Sequence, residues 1–190
     1  MGILYIVATP IGNLEDLSKR ALRILSEVDL ILCEDTRVTQ KLLERYEIKI
    51  KTMSYHQHTK IEKIGEIIQL LGKGKNLALV SDAGTPGISD PGNKLVAELV
   101  EAEPLSVIVP IPGPNALAAA ASIAGFSMDR FVFLGFPPVK KKRKKFFEEA
   151  INLKYPTILY ESPYRIIKTL KEIALLTERK IVVCRELTKK

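Results

Sequence analysis

Residues 3–14 read Ile3-Leu4-Tyr5-Ile6-Val7-Ala8-Thr9-Pro10-Ile11-Gly12-Asn13-Leu14. Six apolar residues run without a polar break and then meet a turn containing Pro and Gly. Such a run predicts a strand covered on both faces, because a solvated face would demand alternation. Leu17, Ala21, Leu22, Ile24, Leu25 and Val28 then recur at helical spacing, with Ser18 placed to cap the helix. Leu30-Ile31-Leu32-Cys33 predicts a second strand and Thr36 to Tyr46 a second helix. The alternation continues with a strand near Ile48 to Met53, a helix from Thr59 to Leu71, and a strand from Asn76 to Val80. A helix from about Pro91 to Glu101 and a strand from Ser106 to Val109 follow. Strand alternating with helix implies right-handed crossovers and a mostly parallel sheet, an α/β fold.

Pro110-Ile111-Pro112-Gly113-Pro114 punctuates this pattern, since three prolines in five residues stiffen the chain and remove amide donors. The boundary between two domains is expected there, giving 1–112 and 113–190. The second part begins with an Ala-rich helix, Asn115 to Ala124. Strands at Phe131 to Leu134, Thr157 to Tyr160 and Ile181 to Cys184 are expected to form a mixed sheet, with helices at Lys144 to Leu153 and Tyr164 to Leu175. This second domain is small for an independent core and ends without a closing element, so it is expected to be incomplete.

The chain has 190 residues, 46% hydrophobic and 27% charged, within the globular range. Eleven Gly and eleven Pro show no period, which excludes collagen-like and low-complexity readings. The longest weakly polar stretch, Val107 to Gly125, is too interrupted by Pro110, Pro112, Pro114 and Asn115 to cross a membrane. With no leader at the start, a cytoplasmic protein is expected, in which Cys33 and Cys184 are buried free thiols. Formal net charge is +7, and the single run Lys140-Lys141-Lys142-Arg143-Lys144-Lys145 holds six positive charges, leaving the rest almost neutral. A local device of that kind is either a phosphate contact or a solvated helix start.

Three Gly/Pro-rich turns follow strand ends, where open parallel sheets place their ligand crevice. They are Ala8 to Leu14, Ser81 to Gly92, and Pro112-Gly113-Pro114-Asn115. None carries GxGxxG or GxxxxGK[ST], so neither the dinucleotide fingerprint nor a P-loop is present. A crevice lined by backbone groups and Asp82 suits a neutral or zwitterionic ligand with an adenosine or amino-acid part. Ordinary tight turns explain any one of these loops and explain all three less well.

Seven motifs in order carry a resemblance to a known family. They are Tyr5 to Leu14, Glu34-Asp35-Thr36-Arg37, Ser81 to Gly92, Pro112 to Leu117, Phe133-Leu134-Gly135-Phe136-Pro137-Pro138, Tyr160-Glu161-Ser162-Pro163-Tyr164-Arg165, and Arg185-Glu186-Leu187-Thr188-Lys189. From residue 3 onward the chain resembles the ribosomal RNA small subunit methyltransferase I group of the tetrapyrrole methylase (class III methyltransferase) superfamily. The resemblance implies a two-domain α/β homodimer that binds S-adenosyl-L-methionine and methylates the ribose 2′-oxygen of a cytidine in small-subunit (16S) ribosomal RNA, at the decoding centre. It implies a cofactor bordered by Pro10, Ser81, Asp82, Ala83, Gly84, Thr85, Ile88, Ser89, Asn115 and Ala116, with Tyr160 approaching from the second domain. Ser81 and Ala83 stand where the wider superfamily has Gly and Pro, which argues against a corrin or porphyrin substrate.

A ribose hydroxyl is a poor nucleophile until its proton begins to leave, so a base helps the transfer. Asp35, His56 and Glu161 are the candidates, alongside Asp82, and the assignment stays open. Imidazole as a residue type titrates in a suitable range, yet Tyr55-His56-Gln57-His58 also reads as a plain surface loop. Asp35 reads equally as a helix cap, and Glu161 as the ion-pair partner of Arg165. RNA contacts are expected at Arg37, at Lys140, Lys141, Lys142, Arg143, Lys144 and Lys145, and at Arg165, with naked RNA or the assembled small subunit as partner. No metal site is expected, because the two histidines lie far in sequence from both cysteines. A small-molecule tetrapyrrole or corrin methyltransferase leaves the basic run unexplained, and a non-catalytic RNA-binding module leaves the crevice loops unexplained.

Overall fold

In the computed structural model the first apolar run forms β1 (Ile3–Val7). The structure describes residues 1–190 except 57–60, 91, 104 and 190, and of Ile61 only the backbone. Gln57 and His58 of the predicted loop, with the expected helix start at Thr59, therefore lie outside the described residues. The chain divides into two units, Met1–Ala116 with Glu186–Lys190, and Leu117–Arg185. The expected boundary at 112 stands four residues before that division, and the C-terminal segment counts with the first unit.

In the first unit, α1 (Lys19–Glu27), β2 (Leu30–Cys33), α2 (Thr36–Arg45), β3 (Thr52–Ser54), α3 (Ile61–Gly72), β4 (Leu77–Val80), α4 (Gly92–Ala102) and β5 (Val107–Ile111) follow β1. The caps agree with the residues read for them. Ser18 Oγ accepts from Ala21 N at 3.0 Å at the start of α1, and the Asp35 carboxylate accepts from Arg37 N at 2.9 Å at the start of α2. The five strands are parallel in the order β3-β2-β4-β1-β5. Leu77 and Leu79 join the core with α3 and α4, whereas Ala78 and Val80 join the core with α1 and α2. Both faces are thus covered, which is why these strands read as unbroken apolar runs. Pro110 is tolerated in β5 because that strand is an edge, where a missing donor costs no ladder bond.

Strand order fixes where a ligand fits. From β1 to β3 the chain steps toward one edge, and from β3 to β5 it steps back toward the other. Right-handed crossovers in opposite directions place α1 and α2 on one face and α3 and α4 on the other. Neighbouring β1 and β4 therefore send their chains to opposite faces. The crevice outside their carboxyl ends is the topological switch point of the sheet.

In the second unit, α5 (Ala116–Ile123, its first residue counted with the first unit), β6 (Val132–Phe133), α6 (Arg143–Asn152), β7 (Thr157–Ile158) and α7 (Ile166–Ala174) follow. Among the described residues its sheet is the parallel pair β6–β7, not a mixed sheet. Ile181 to Cys184, expected as a strand, pairs with no described strand. Ile181, Val182 and Val183 stand exposed, because apolar β-branched sequence without a ladder partner does not make a sheet. Cys33 is buried at the end of β2 as expected, whereas Cys184 is partly exposed; both are free thiols. Among the described residues, no helix is long and apolar enough to cross a membrane, and no group of three or more His, Cys, Asp or Glu side chains is arranged to hold a metal.

Candidate functional site

The loops that leave β1, β4 and β5 are tied together by backbone and hydroxyl groups. Thr9 and Gly84 exchange backbone hydrogen bonds of 2.9 and 3.0 Å, an antiparallel bridge across the switch point. The Thr9 hydroxyl, 2% exposed, donates to Ser81 O at 3.0 Å, and buried Ser81 donates to Gly84 O at 3.2 Å. Thr85 Oγ1 donates to Pro114 O at 3.1 Å, joining the β4 loop to the β5 loop. Asp35 N donates to Asp82 Oδ1 at 3.2 Å, bringing in the loop after β2. Gly113 allows a close approach of the two loops, since a Cβ there would stand only 3.0 Å from the Ala8 Cβ. Four strand-end loops are locked into one rim.

Most of the predicted first-unit cofactor residues fall on this rim. Pro10 is half-buried after β1. Ser81 and Gly84 are buried as struts, while Asp82, Ala83, Ile88 and Ser89 present exposed surface and Thr85 is half-buried. Ser89 holds a left-handed backbone, φ 57°, uncommon for a residue with a Cβ and a feature that clusters at ligand sites. Asn115 and Ala116 stand at the start of α5. The rim also carries residues that the sequence analysis did not single out. Burial pushes the Asp90 carboxyl up, although it accepts from Gly87, Gly92 and Ser81. Burial and the neighbouring Asp90 and Asp82 charges push Glu34 up, with His56 acting in the opposite sense. Thr188 and Lys189 lie against the β1 loop, where a Cβ on Gly12 would come within 2.8 Å of the Thr188 hydroxyl. The signal for Glu34 and Asp90 was their place beside strand-end turns; for Thr188 it was the Arg185 to Lys189 motif.

Asp35 is committed elsewhere. Its carboxylate receives Arg37 Nη2 at 2.7 Å and Nε at 3.0 Å, and the hydrogen-bonded Arg37 pulls its pKa down to about 2. It caps α2 and makes a poor proton acceptor. Arg37 itself remains exposed at the rim of α2. The concavity lined by Gln40, Glu44, Glu47 and Lys51 lies between the end of α2 and β3, away from these loops.

In the second unit the chemistry is ionic. Arg143, 6% exposed, donates from Nε to Glu172 at 2.7 Å, from Nη1 to Pro138 O at 2.9 Å, and from Nη2 to Thr169 at 2.6 Å. Its guanidinium also lies 3.4 Å from Glu161 and over the Phe147 ring. Glu161 accepts from Thr169 at 2.6 Å, from Ser162 N at 2.7 Å and from Arg165 at 2.7 Å. Burial pushes the Glu161 carboxyl up, but Thr169, Ser162 N–H, Arg165 and Arg143 bring it below its ordinary value. Two expectations are corrected here. Arg143 is no RNA contact, because its donors are consumed inside the unit. Glu161 is no free base, because every oxygen is engaged. Arg165 pairs with Glu161 and keeps only a quarter of its side chain exposed. Tyr160 Oη accepts from Leu117 N at 3.1 Å, and its ring meets Phe133 and Phe136 edge-on.

The five lysines of the basic run are all exposed. Lys144 and Lys145 stand 3.7 Å from Glu148 and Glu149 in (i, i+4) pairs. The run occupies the N-terminal end of α6, the end whose dipole disfavours cations. A charge cluster kept at the unfavourable end needs a reason other than helix stability.

Comparison with known proteins places this architecture. A family model described as tetrapyrrole (corrin/porphyrin) methylases matches residues 3–190. Solved structures with the same fold include the methyltransferase CobJ, with TM-score 0.65 and 17% identity over 94% of this chain and 77% of that one. A Thermus thermophilus uroporphyrin III C-methyltransferase gives TM-score 0.58 at 20% identity, over 92% of this chain and 77% of that one. Closer in sequence are proteins named ribosomal RNA small subunit methyltransferase I. That of Synechocystis is 48% identical over all of this chain and 68% of its own length, that of Bacillus subtilis 48% over 100% and 65%, and that of Thermotoga maritima 45% over 100% and 85%. The chain belongs to the tetrapyrrole methylase family, within its ribosomal RNA small subunit methyltransferase I group. It spans about two thirds of the length of the Synechocystis and Bacillus relatives.

The family's cofactor, S-adenosyl-L-methionine, carries a cationic sulfonium and an ammonium group. The rim fits such a ligand: Asp82, Asp90 and Glu34 gather negative charge there, and only small residues occupy the close approach between Ala8 and Gly113.

Proposed function

We propose that this protein transfers a methyl group from S-adenosyl-L-methionine to the ribose 2′-oxygen of a cytidine in small-subunit ribosomal RNA, at the decoding centre. The observation that carries this reading is identity of 45–48% over the whole chain to relatives named for ribosomal RNA methylation. Two features of the geometry support it: an acidic rim at the switch point of the sheet, and five exposed lysines at the wrong end of a helix for stability.

The cofactor supplies an already activated methyl group, so the protein's task is mainly positioning. The Thr9–Gly84 bridge and the Ser81 hydroxyl fix the loop that presents Asp82, Ala83, Thr85, Ile88 and Ser89 to the methionine part. Pro10 borders it from the β1 loop, and Asn115 and Ala116 border the adenosine. Asp82 and Asp90 draw the cationic ligand to the rim. With Asp35 and Glu161 engaged by arginines and Asp82 serving the cationic cofactor in this reading, His56, whose charge acts on Glu34, takes the ribose proton. Lys140, Lys141, Lys142, Lys144, Lys145 and Arg37 hold phosphates. In this reading the enzyme acts in the cytoplasm as a homodimer, on RNA or on the assembled small subunit.

The test is tritium transfer from labelled S-adenosyl-L-methionine to small ribosomal subunits lacking their native methylations, with nuclease digestion to locate the label. Label on a cytidine ribose is expected. Cofactor binding without label on RNA, and with label on a tetrapyrrole offered in its place, overturns the reading in favour of a small-molecule methyltransferase.

A further inference from the structure

Tyr164 is 97% exposed, the most exposed of the large apolar or aromatic residues described. A phenol ring ordinarily buries most of its body and leaves its hydroxyl wet. Here the whole ring stands in solvent on a turn that has little freedom. Tyr164 N donates to Ser162 Oγ at 3.3 Å, and Arg165 N and Ile166 N donate to Ser162 O at 2.9 and 3.1 Å. Ser162 N is held in turn by Glu161, whose carboxylate is clamped by Arg143, Thr169 and Arg165. The same Arg143 holds Pro138 O, two residues before Lys140. One buried guanidinium therefore registers an exposed aromatic turn against an exposed run of lysines, inside a single unit.

We propose that Tyr164 is a stacking residue for an unpaired base of the RNA, and that it forms with Lys140, Lys141 and Lys142 one rigid single-strand-binding surface. The inference rests on the RNA-methyltransferase reading and adds to it the form of the substrate, an unstacked strand. Charge complementarity selects the occupant: lysines take phosphates without regard to sequence, and an aromatic face takes any base. Preorganisation adds to this, because a turn whose backbone is already held by hydrogen bonds leaves only the ring's own rotations to be lost on binding. A duplex offers no open base face, so Tyr164 contributes nothing to holding one.

The chain contains no tryptophan, so Tyr164→Trp installs a single indole reporter in it. The probe is a cytidine-containing RNA strand of about 12 nucleotides, free or annealed to its complement. Single-strand binding should weaken about tenfold in Tyr164→Ala and stay within about twofold in Tyr164→Phe, because one stacked base is lost in the first and kept in the second. The salt dependence should be unchanged in both, since no phosphate contact is removed. The indole of Tyr164→Trp should be quenched by the single strand and not by the duplex. Wild-type affinity in Tyr164→Ala with an unquenched indole in the saturated complex overturns the proposal while leaving the RNA reading intact. An indole shift that follows protein concentration without RNA overturns it differently, by assigning the ring to a contact with a second copy. Failure of the wild-type protein to bind either RNA removes the underlying reading and this inference together.

Discussion

The two units build their chemical surfaces by opposite means. At the carboxyl edge of the first sheet, position is fixed by main-chain groups and hydroxyls: Thr9 against Gly84, Ser81 against Gly84, Thr85 against Pro114. Carboxyl groups sit on that edge and pay for it with raised pKa values at Asp90 and Glu34. In the second unit, position is fixed by a charged knot of Arg143, Glu161, Arg165, Thr169 and Glu172, and the surface it supports is cationic. The difference follows from what each unit has available. Five parallel strands bring loop backbones together by topology alone. A two-stranded sheet brings few loops together, so a side chain long enough to reach three segments does the gathering.

That contrast is open to attack, and the largest blow falls on the knot. Arg143→Met leaves Glu161 and Glu172 without their buried cation and should destabilise the protein by about 3–5 kcal/mol in urea unfolding. A loss below about 1 kcal/mol would mean that the knot is ornamental. On the first unit, Thr9→Val keeps the shape and removes a hydroxyl serving Ser81 O and Gly84 O. It should cost about 1–3 kcal/mol and weaken S-adenosyl-L-methionine in calorimetry, whereas Arg143→Met should spare cofactor affinity in whatever fraction remains folded.

Acidity separates the rim carboxyl Asp90 from the knot carboxyl Glu161 by sign. Asp90 has a raised pKa in the folded state, so the fold binds its proton more tightly than the unfolded chain and loses stability as pH rises above the ordinary carboxylate value. Asp90→Asn should therefore gain on wild type as pH rises from 4 to 6. Glu161 has a lowered pKa, so its contribution is full above the ordinary glutamate value and fades as pH falls below it. Glu161→Gln should lose ground on wild type as pH rises through that lower range. Parallel curves for the two variants would break the contrast. The smallest effect on stability belongs to the lysines. Changing Lys140, Lys141 and Lys142 together to Gln should move stability by no more than about 0.5 kcal/mol, because all three are exposed. The same change should flatten the logarithmic salt dependence of single-stranded RNA binding by about 2 units, at about 0.7 for each phosphate contact.

Much of the first unit was legible before folding. Unbroken apolar runs announced doubly covered strands, Ser18 and Asp35 announced helix starts, and Gly/Pro turns at strand ends announced the rim. The knot was harder to see because Arg143 sits among five lysines and shares their charge. Its signal was spacing: Arg143, Phe147 and Ala150 recur at i, i+4 and i+7, and all three are buried on one face of α6. Charge counted along the sequence hid what charge counted around the helix reveals. Ile181 to Cys184 failed in the opposite way, since β-branched composition states a willingness to pair and says nothing about whether a neighbour is there. Asp90 and Glu34 escaped because their weakened acidity arises first from burial and then from neighbouring carboxylates, which only the folded loops bring together.

The position of β1 also sets a timetable for synthesis. It is made before the other described strands, yet its partners in the sheet are β4 and β5, whose residues begin at Leu77 and end at Ile111. During translation at about 5–20 residues per second, an apolar strand waits several seconds or more for both flanks to exist. β2 and β3 can pair earlier, but β4 joins them to β1 only later and the β5 edge closes last, by long-range contacts, which makes this a slow fold for its size. A nascent chain stalled between residues 80 and 107 would show one edge of β1 open. That interval is when a chaperone holding β1 would protect it most.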